Sequence, residues 1–135
     1  MRNSSNVFIT GSAGVGKSFL LSTLIRELRA KYPQRNDVVV AASTGIAAVN
    51  IDGRTLHSFA GIGLGRGDCA KLTKKVRENG AACERWQRAK VLIIDEISMI
   101  NGELFEALES IARSVRESRA PFGGIQLVRF TRHII

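Results

Sequence analysis

Four short apolar runs divide the chain, and each has the length of a buried β-strand. They lie at Val7–Ile9, Val38–Ala42, Val91–Ile94 and Ile125–Val128. Runs that are apolar without alternation are typical of parallel strands covered on both faces. Stretches with helical spacing or loop-like composition separate them. The pattern therefore predicts the order strand, helix, strand, helix, strand, helix, strand.

Two of the intervening stretches repeat apolar residues at helical spacing. Those of the first helix are Leu20, Leu21, Leu24, Ile25 and Leu28, and those of the last are Leu104, Phe105, Leu108, Ile111, Ala112 and Val115. The Pro- and Gly-containing segments KYPQRND and RAPFGG end these helices. Because a helix that joins two parallel strands covers a sheet face, an α/β fold with a parallel sheet is predicted. The glycine-spaced SFAGIGLGRGD is interpreted as an exposed loop.

Composition limits the class of protein. A chain of 135 residues with 44% hydrophobic and 24% charged residues is ordinary for one soluble globular domain, which we place at residues 1–135. The net charge of +8 favours a polyanionic partner such as nucleic acid, although a solvated surface explains many such totals.

Cysteine spacing and hydropathy argue against several other classes. Cys69 and Cys83 form neither a CxxC pair nor a Cys/His spacing, so two reduced thiols and an intracellular setting are expected. The first residues, MRNSSN, contain no apolar run, and no segment approaches the length of a membrane span. No membrane partner is therefore expected.

The bend after the first strand carries the most specific motif of the sequence. Its residues, Gly11, Ser12, Ala13, Gly14, Val15, Gly16, Lys17 and Ser18, satisfy G-x-x-x-x-G-K-[ST] between a strand and a helix. Glycines let successive N–H groups face inward, and the helix adds its positive end, so the bend is predicted to bind phosphate. Lys17 would reach the β- and γ-phosphates of ATP, and Ser18 would ligate Mg²⁺. The alternative is a glycine-rich turn with a solvated lysine.

A pair of carboxylates follows the third predicted strand, in VLIIDEISM. Asp95 is predicted to hold Mg²⁺ in the role of a Walker B aspartate, because a carboxylate that ends a buried strand needs a partner. Glu96 would orient and deprotonate the water that attacks the γ-phosphate, which favours hydrolysis. The alternative is that both acids cap the next helix or lie in solvent.

The segment ASTGIAAVNIDGRTLHSFAGIG contains candidate nucleic-acid contacts. Ser43, Thr44 and Gly45 would present donors at the carboxyl end of the second strand, where α/β sheets bind ligands. The following block would add a donor, a hydroxyl and a stacking ring, from His57, Ser58 and Phe59. The alternatives are an ordinary helix N-cap and a structural histidine.

Residues 66–90 contain eight basic and three acidic side chains, with Trp86 among them. A solvated helical face is the default interpretation of such a run. A surface that follows a nucleic-acid backbone is the alternative.

Together these motifs resemble the superfamily 1 DNA helicases of the Pif type, over about Asn6 to Val128. FITGSAGVGKSFLL is similar to that family's first motif, TLHSFAGIGLG to a later one, and DEISMINGELF to its Mg²⁺ and hydrolysis motif. The resemblance implies a RecA-like P-loop NTPase domain of an ATP-driven 5′ to 3′ motor that acts on single-stranded DNA and duplex junctions. It also implies a role in repair, recombination and telomere maintenance, in the nucleus or mitochondrion. The residues implied are Gly14, Gly16, Lys17 and Ser18 for ATP and Mg²⁺, Asp95 and Glu96 for hydrolysis, and Thr44, Gly45, His57 and Ser58 near DNA.

The sequence departs from the family pattern at both ends. No glutamine-bearing, adenine-recognising block precedes the first strand, and RFTRHII stands where the family continues with a γ-phosphate motif. The resemblance therefore ends near Val128, which predicts a domain truncated after its fourth strand, without the second domain and its arginine finger. By analogy the last strand enters between the first and third, and a buried charge at Arg129 makes it fray or turn outward.

A monomer is favoured. The alternative functions are a nucleotide- or DNA-binding fragment without motor activity, and another phosphate-loop enzyme such as a kinase.

Overall fold

Five parallel strands form one sheet in the computed structural model, which describes residues 6–11 and 15–132. The strands are β1 (Val7–Gly11), β2 (Val38–Ala42), β3 (Arg54–Thr55), β4 (Val91–Asp95) and β5 (Gln126–Arg132). Their order across the sheet is β1-β5-β4-β2-β3. The four predicted strands and their parallel arrangement are confirmed, and the last predicted strand does lie between the first and the third.

Six α-helices lie within the described residues and connect the strands. They are α1 (Val15–Lys31), α2 (Gly45–Asn50), α3 (Leu56–Ala60), α4 (Cys69–Arg77), α5 (Gly80–Arg88) and α6 (Gly102–Val115), with 3-10 turns at Ile97–Met99 and Pro121–Gly124. Within the described ranges, none of the helices is long and apolar enough to cross a membrane.

The helices from α2 to α6 all begin at a polar side chain that caps the first turn. Each such side chain accepts a hydrogen bond from the backbone N–H three residues later, which satisfies a donor with no partner inside the helix. The capping residues are Thr44, Thr55, Asp68, Asn79 and Asn101.

Two hydrophobic layers cover the two faces of the sheet. On one face α1 packs Leu21 against alternate strand residues such as Val40, Ile93 and Phe130. On the other face α3 to α6 pack against the intervening strand residues, in a larger layer that contains Trp86. Alternate side chains of a strand point to opposite faces, so continuous apolar runs are what this double cover requires. The amphipathic prediction for the last helix is confirmed. In the first helix Leu21, Leu24, Ile25 and Leu28 pack against the sheet, but Leu20, predicted on the same face, is 45% exposed.

The structure contains a fifth strand that the sequence pattern did not predict. β3 consists only of Arg54 and Thr55, which pair with Ala41 and Ala42 of β2. Both of its residues are polar and it lies at the sheet edge, so no apolar run marks it. Its pairing comes from the backbone alone.

The segment interpreted as an exposed loop is partly helical, which corrects that prediction. Its first residues belong to α3, where Phe59 is fully buried against Trp86, with ring centroids 4.8 Å apart. Ile62 is also buried. Gly61, at φ +76°, ends α3 in the left-handed conformation that glycine adopts without strain.

The last strand neither frays nor turns outward after Val128, so that prediction was wrong. β5 continues to Arg132 and pairs with β1 as far as Gly11. The guanidinium carbon of Arg129 lies 5.4 Å from the ring centroid of Phe8 and 5.6 Å from that of Phe105. Contact with two aromatic faces lets the charge remain beside the core. Residues 133–135 lie outside the described part of the chain.

Candidate nucleotide and nucleic-acid sites

The carboxyl ends of all five strands lie at one edge of the sheet because the strands are parallel. There the chain leaves β1 at Gly11 into the glycine-rich bend, and leaves β4 at Asp95 into the second carboxylate. It leaves β2 at Ala42 and β3 at Thr55 into the segments predicted to contact nucleic acid. Ligands of open α/β sheets bind at this edge.

The phosphate-loop motif has the strand-to-helix setting that it requires. β1 ends at Gly11 and α1 begins at Val15 and runs for 17 residues. Ser12, Ala13 and Gly14 lie outside the described residues, and only the helical backbone is described for Lys17 and Ser18. The N-terminus of a helix of this length carries partial positive charge, which favours a phosphate in front of it.

Asp95 and Glu96 occupy different surroundings although they are adjacent. Asp95 is 6% exposed, and its Oδ1 accepts a hydrogen bond from the Glu96 N–H at 3.0 Å. Glu96 is half-buried and has φ 57°, a left-handed conformation that is uncommon outside glycine. Asp95 therefore remains at the end of β4, and the backbone changes direction at Glu96.

The capping alternative for these two acids is not supported by their contacts. Glu96 precedes a 3-10 turn but makes no side-chain capping bond, and α6 is capped by Asn101 instead. Among the described residues, no three His, Cys, Asp or Glu side chains form a metal cluster. A single buried carboxylate fits Mg²⁺, which proteins bind through one or two carboxylates together with phosphate oxygens and water.

Thr44 and Gly45 follow β2 at the predicted edge, but their contacts are structural. Thr44 Oγ1 accepts a hydrogen bond from the Ala47 N–H at 3.2 Å, which is the ordinary N-cap of the alternative interpretation. Both residues are exposed. The backbone N–H of Ser43, the residue before Thr44, donates to the Asp95 carbonyl at 3.3 Å. This bond links the end of β2 to the carboxylate pair.

His57 and Ser58 lie together in an open cleft of about 740 Å³ beside β3, here named the basic cleft. Its lining residues are Ser43, Arg54, Thr55, His57, Ser58, Gly61, Gly63, Leu64, Lys75, Asn79 and Arg85. The structure thus brings two of the four predicted nucleic-acid residues into one site. Thr44 and Gly45 do not line it.

Three basic side chains of this cleft were not singled out from the sequence. Lys75 and Arg85 belong to the basic run at 66–90, and Arg54 lies outside it. Arg85 Nε donates to the Phe59 carbonyl at 2.9 Å, and its Nη2 to the Ser58 carbonyl at 3.1 Å. Burial, and then the nearby positive charge of Arg54, lower the pKa of Arg85 below its usual value.

The aromatic rings proposed from the sequence do not face the cleft. Phe59 and Trp86 are both fully buried, and the Trp86 Nε1–H donates to the Ala60 carbonyl at 3.0 Å. The stacking contribution expected of Phe59 is therefore wrong. The other basic residues of the run are exposed, as in a solvated helical face.

A second cleft, of about 590 Å³, lies on the other side of His57. Ser43, His57 and Leu64 line both clefts. The second cleft also contains acidic side chains, at Asp68, Glu103 and Glu106. His57 therefore separates a basic surface from an acidic one.

A parallel sheet with a glycine-rich bend after its first strand and a carboxylate pair at another strand end defines a phosphate-loop nucleotide-binding domain. The family model described as PIF1-like helicase matches residues 1–130. The chain belongs to the PIF1-like helicase family.

Its relatives are helicases from several organisms. Over 124 residues the chain is 56% identical to "ATP-dependent DNA helicase PIF1" of Emericella nidulans, covering 91% of this chain and 17% of that protein. It is 45% identical over 123 residues to the protein of that name from Homo sapiens, covering 91% of this chain and 18% of the relative. The chain thus spans less than a fifth of these relatives.

The chain is also similar to solved structures of Pif1 helicases. The crystal structure of Pif1 helicase from Candida albicans superposes with a TM-score of 0.90 at 54% identity, over 95% of this chain and 29% of that one. The Pif1 helicase from Bacteroides in complex with ADP-AlF3 and ssDNA superposes with a TM-score of 0.76 at 36% identity, over 97% and 29%. The RecA-like fold is thereby confirmed.

Proposed function

We propose that this chain is the part of an ATP-dependent DNA helicase that binds Mg²⁺–ATP and one strand of DNA. The observation that carries the proposal is the convergence of the phosphate-loop strand and the buried Asp95 at one sheet edge, with only β5 between their strands. The relatives named as DNA helicases, and the Bacteroides complex with ADP-AlF3 and ssDNA, support both ligands.

Each nucleotide-site residue has a proposed role. The backbone N–H groups of residues 11–16 and the Lys17 ammonium would bind the phosphates. Ser18 and Asp95 would hold Mg²⁺, which neutralises charge on the transferred phosphoryl group. Glu96, half-buried beyond the strand end, would orient the attacking water and accept its proton.

The DNA strand would cross the same edge of the sheet. Thr44, Gly45, His57 and Ser58 follow β2 and β3 there, and the net charge of +8 favours a polyanion. Unwinding in the 5′ to 3′ direction, action at duplex junctions and roles in repair, recombination or telomere maintenance would belong to the longer helicase, in the nucleus or mitochondrion.

Nucleotide binding is tested with Lys17→Ala and a fluorescent ATP analogue. Loss of the ammonium removes a charge-assisted contact to the phosphates, so binding should weaken at least about tenfold. Arg26→Ala is the matched control, because Arg26 is exposed on the same helix and its loss changes the net charge equally. Equal affinities for Lys17→Ala and Arg26→Ala would contradict the proposed nucleotide site.

A further inference from the structure

The basic cleft collects positive charge for which the described residues provide no counter-ion. None of the ion pairs within those residues includes Arg54, Lys75 or Arg85. Arg54 and Arg85 are close enough for the charge of one to lower the pKa of the other. An anion in the cleft would relieve this repulsion.

The three side chains come from different elements, and hydrogen bonds hold two of them in place. Arg54 extends from β3, and its Nη2 donates to Ser58 Oγ at 2.9 Å. Arg85 extends from α5 and is held by two carbonyls of α3. Lys75 extends from α4 over Gly63, where a Cβ would lie only 2.5 Å from Lys75 Nζ. The two arginines are therefore already positioned and lose little conformational freedom on binding a ligand.

We propose that Arg54, Lys75 and Arg85 form a binding site for a backbone phosphate of a DNA strand. The site lies beside β3, the outer strand farthest from the phosphate loop. The inference rests on the proposed function and extends its DNA path beyond His57 and Ser58.

The lining chemistry selects a sugar-phosphate backbone. Guanidinium, ammonium, hydroxyl and amide groups are the donors that proteins direct at phosphate oxygens. Among the described residues, the lining contains no Phe, Tyr or Trp ring on which a base could stack. Acidic side chains on the far side of His57 would repel the backbone and confine it to the basic cleft. Binding should therefore be independent of base sequence.

The site is also separate from the nucleotide site. β3 and β1 are the two edge strands, with β2, β4 and β5 between them. Four strand spacings amount to about 19 Å, so a change in the basic cleft should leave nucleotide affinity unaltered.

The test is the salt dependence of binding to a labelled oligothymidylate, measured by fluorescence anisotropy. Lys75→Ala should weaken binding about three- to fivefold and reduce the slope of log affinity against log salt by about 0.7. Lys74→Ala is the matched control: Lys74 is exposed one residue away on α4, pairs with Glu78 at 3.9 Å and does not line the cleft. Its effect should be less than half as large.

Charge reversal provides a second comparison on folded protein. Lys75→Glu should weaken binding more than Lys74→Glu, with equal melting temperatures and unchanged affinity for the ATP analogue. If the unaltered chain binds no oligothymidylate at low salt, the DNA part of the proposed function fails. If it binds but the Lys75 and Lys74 variants are equivalent, or polyglutamate displaces the DNA as well as a competing oligonucleotide does, this inference alone is overturned.

Discussion

At the residue scale, Arg129 shows how a charge is retained beside a hydrophobic layer. Its guanidinium lies over the rings of Phe8 and Phe105, while its Nε is buried without a hydrogen-bond partner among the described residues. A buried donor without a partner is costly, whereas contact with aromatic faces is favourable. These opposing terms make the net contribution of the charge small.

Arg129→Met is therefore expected to leave the free energy of unfolding within about 1 kcal/mol of the unaltered chain, or to raise it. Methionine keeps contact with both rings and removes the buried donor. Arg129→Ala removes the contacts as well and should destabilise the fold. Denaturant titrations of both variants provide the measurement, and equal destabilisation by Met and Ala would contradict this assignment.

At the element scale, α3 depends on how its C-terminus is closed. Gly61 is in the left-handed conformation, and a Cβ there would lie 2.5 Å from the Ala82 Cβ of α5. Both the backbone and the space therefore require glycine. Since α3 carries His57 and Ser58, the position of this helix also determines the geometry of the basic cleft.

Gly61→Ala should lower the free energy of unfolding by about 1–3 kcal/mol, through backbone strain and the collision with α5. Gly102→Ala is the control, because Gly102 lies in the first turn of α6 and a Cβ there would meet nothing within 4 Å. That substitution should be neutral or stabilising. Thermal unfolding of both variants tests this difference in stability. An equal loss of stability in the two variants would contradict the prediction.

Elements with a continuous apolar run or a helical period were predictable, because the run reflects burial of both faces of a strand and the period reflects burial of one face of a helix. The unpredicted elements lack such a pattern. β3 is polar and pairs through its backbone. β5 extends past Val128 by pairing with β1, and Phe8 and Phe105, distant in sequence, contact Arg129 there. The cost of a buried charge cannot be predicted from its position in the sequence when the side chains that stabilise it belong to other elements.

Tertiary hydrogen bonds were similarly inaccessible from the sequence. Arg116 Nη1 donates to the carbonyls of Trp86, Gln87 and Ala89, and so satisfies acceptors at the end of α5. Burial lowers the pKa of Arg116 from its usual value. Nothing in local spacing relates this arginine to a helix almost thirty residues earlier.

The candidate site was predictable where the motif is contiguous. Asp95 and Glu96 lie at a strand end, and the bend at Gly11 connects a strand to a helix, both as predicted. The basic cleft was not predictable, because its three cations come from β3, α4 and α5. Phe59 was misassigned since a ring in a polar segment gives no indication of whether its partner is a base or Trp86.

At the scale of the whole molecule, the proposed nucleotide and DNA sites both lie at the carboxyl ends of the strands. The sheet order places the nucleotide site near β1 and the DNA site near β3, on opposite sides of the sheet. Under the proposed function, such a domain would supply one wall of the nucleotide site. Phosphoryl transfer in phosphate-loop enzymes also uses a cation delivered from outside that wall, commonly worth about 10³-fold or more in rate.

Residues 1–135 expressed by themselves should therefore bind Mg²⁺–nucleotide but release phosphate slowly, with little stimulation by DNA and no strand displacement. Phosphate release with and without oligothymidylate gives the measurement. Glu96→Gln is the blank, because it keeps the size of the side chain and removes the base. Glutamate-dependent turnover at rates ordinary for enzymes, about 10 s⁻¹, would contradict the expectation.

The position of β5 between β1 and β4 also determines when the sheet can close during synthesis. Within the described residues β1 pairs only with β5, and the Leu127 N–H reaches Asn6 Oδ1 across 121 residues of sequence. At translation rates of about 5–20 residues per second, the first strand made waits about 6–24 s for its partner. Over that interval its apolar residues are available to a chaperone or to another nascent chain.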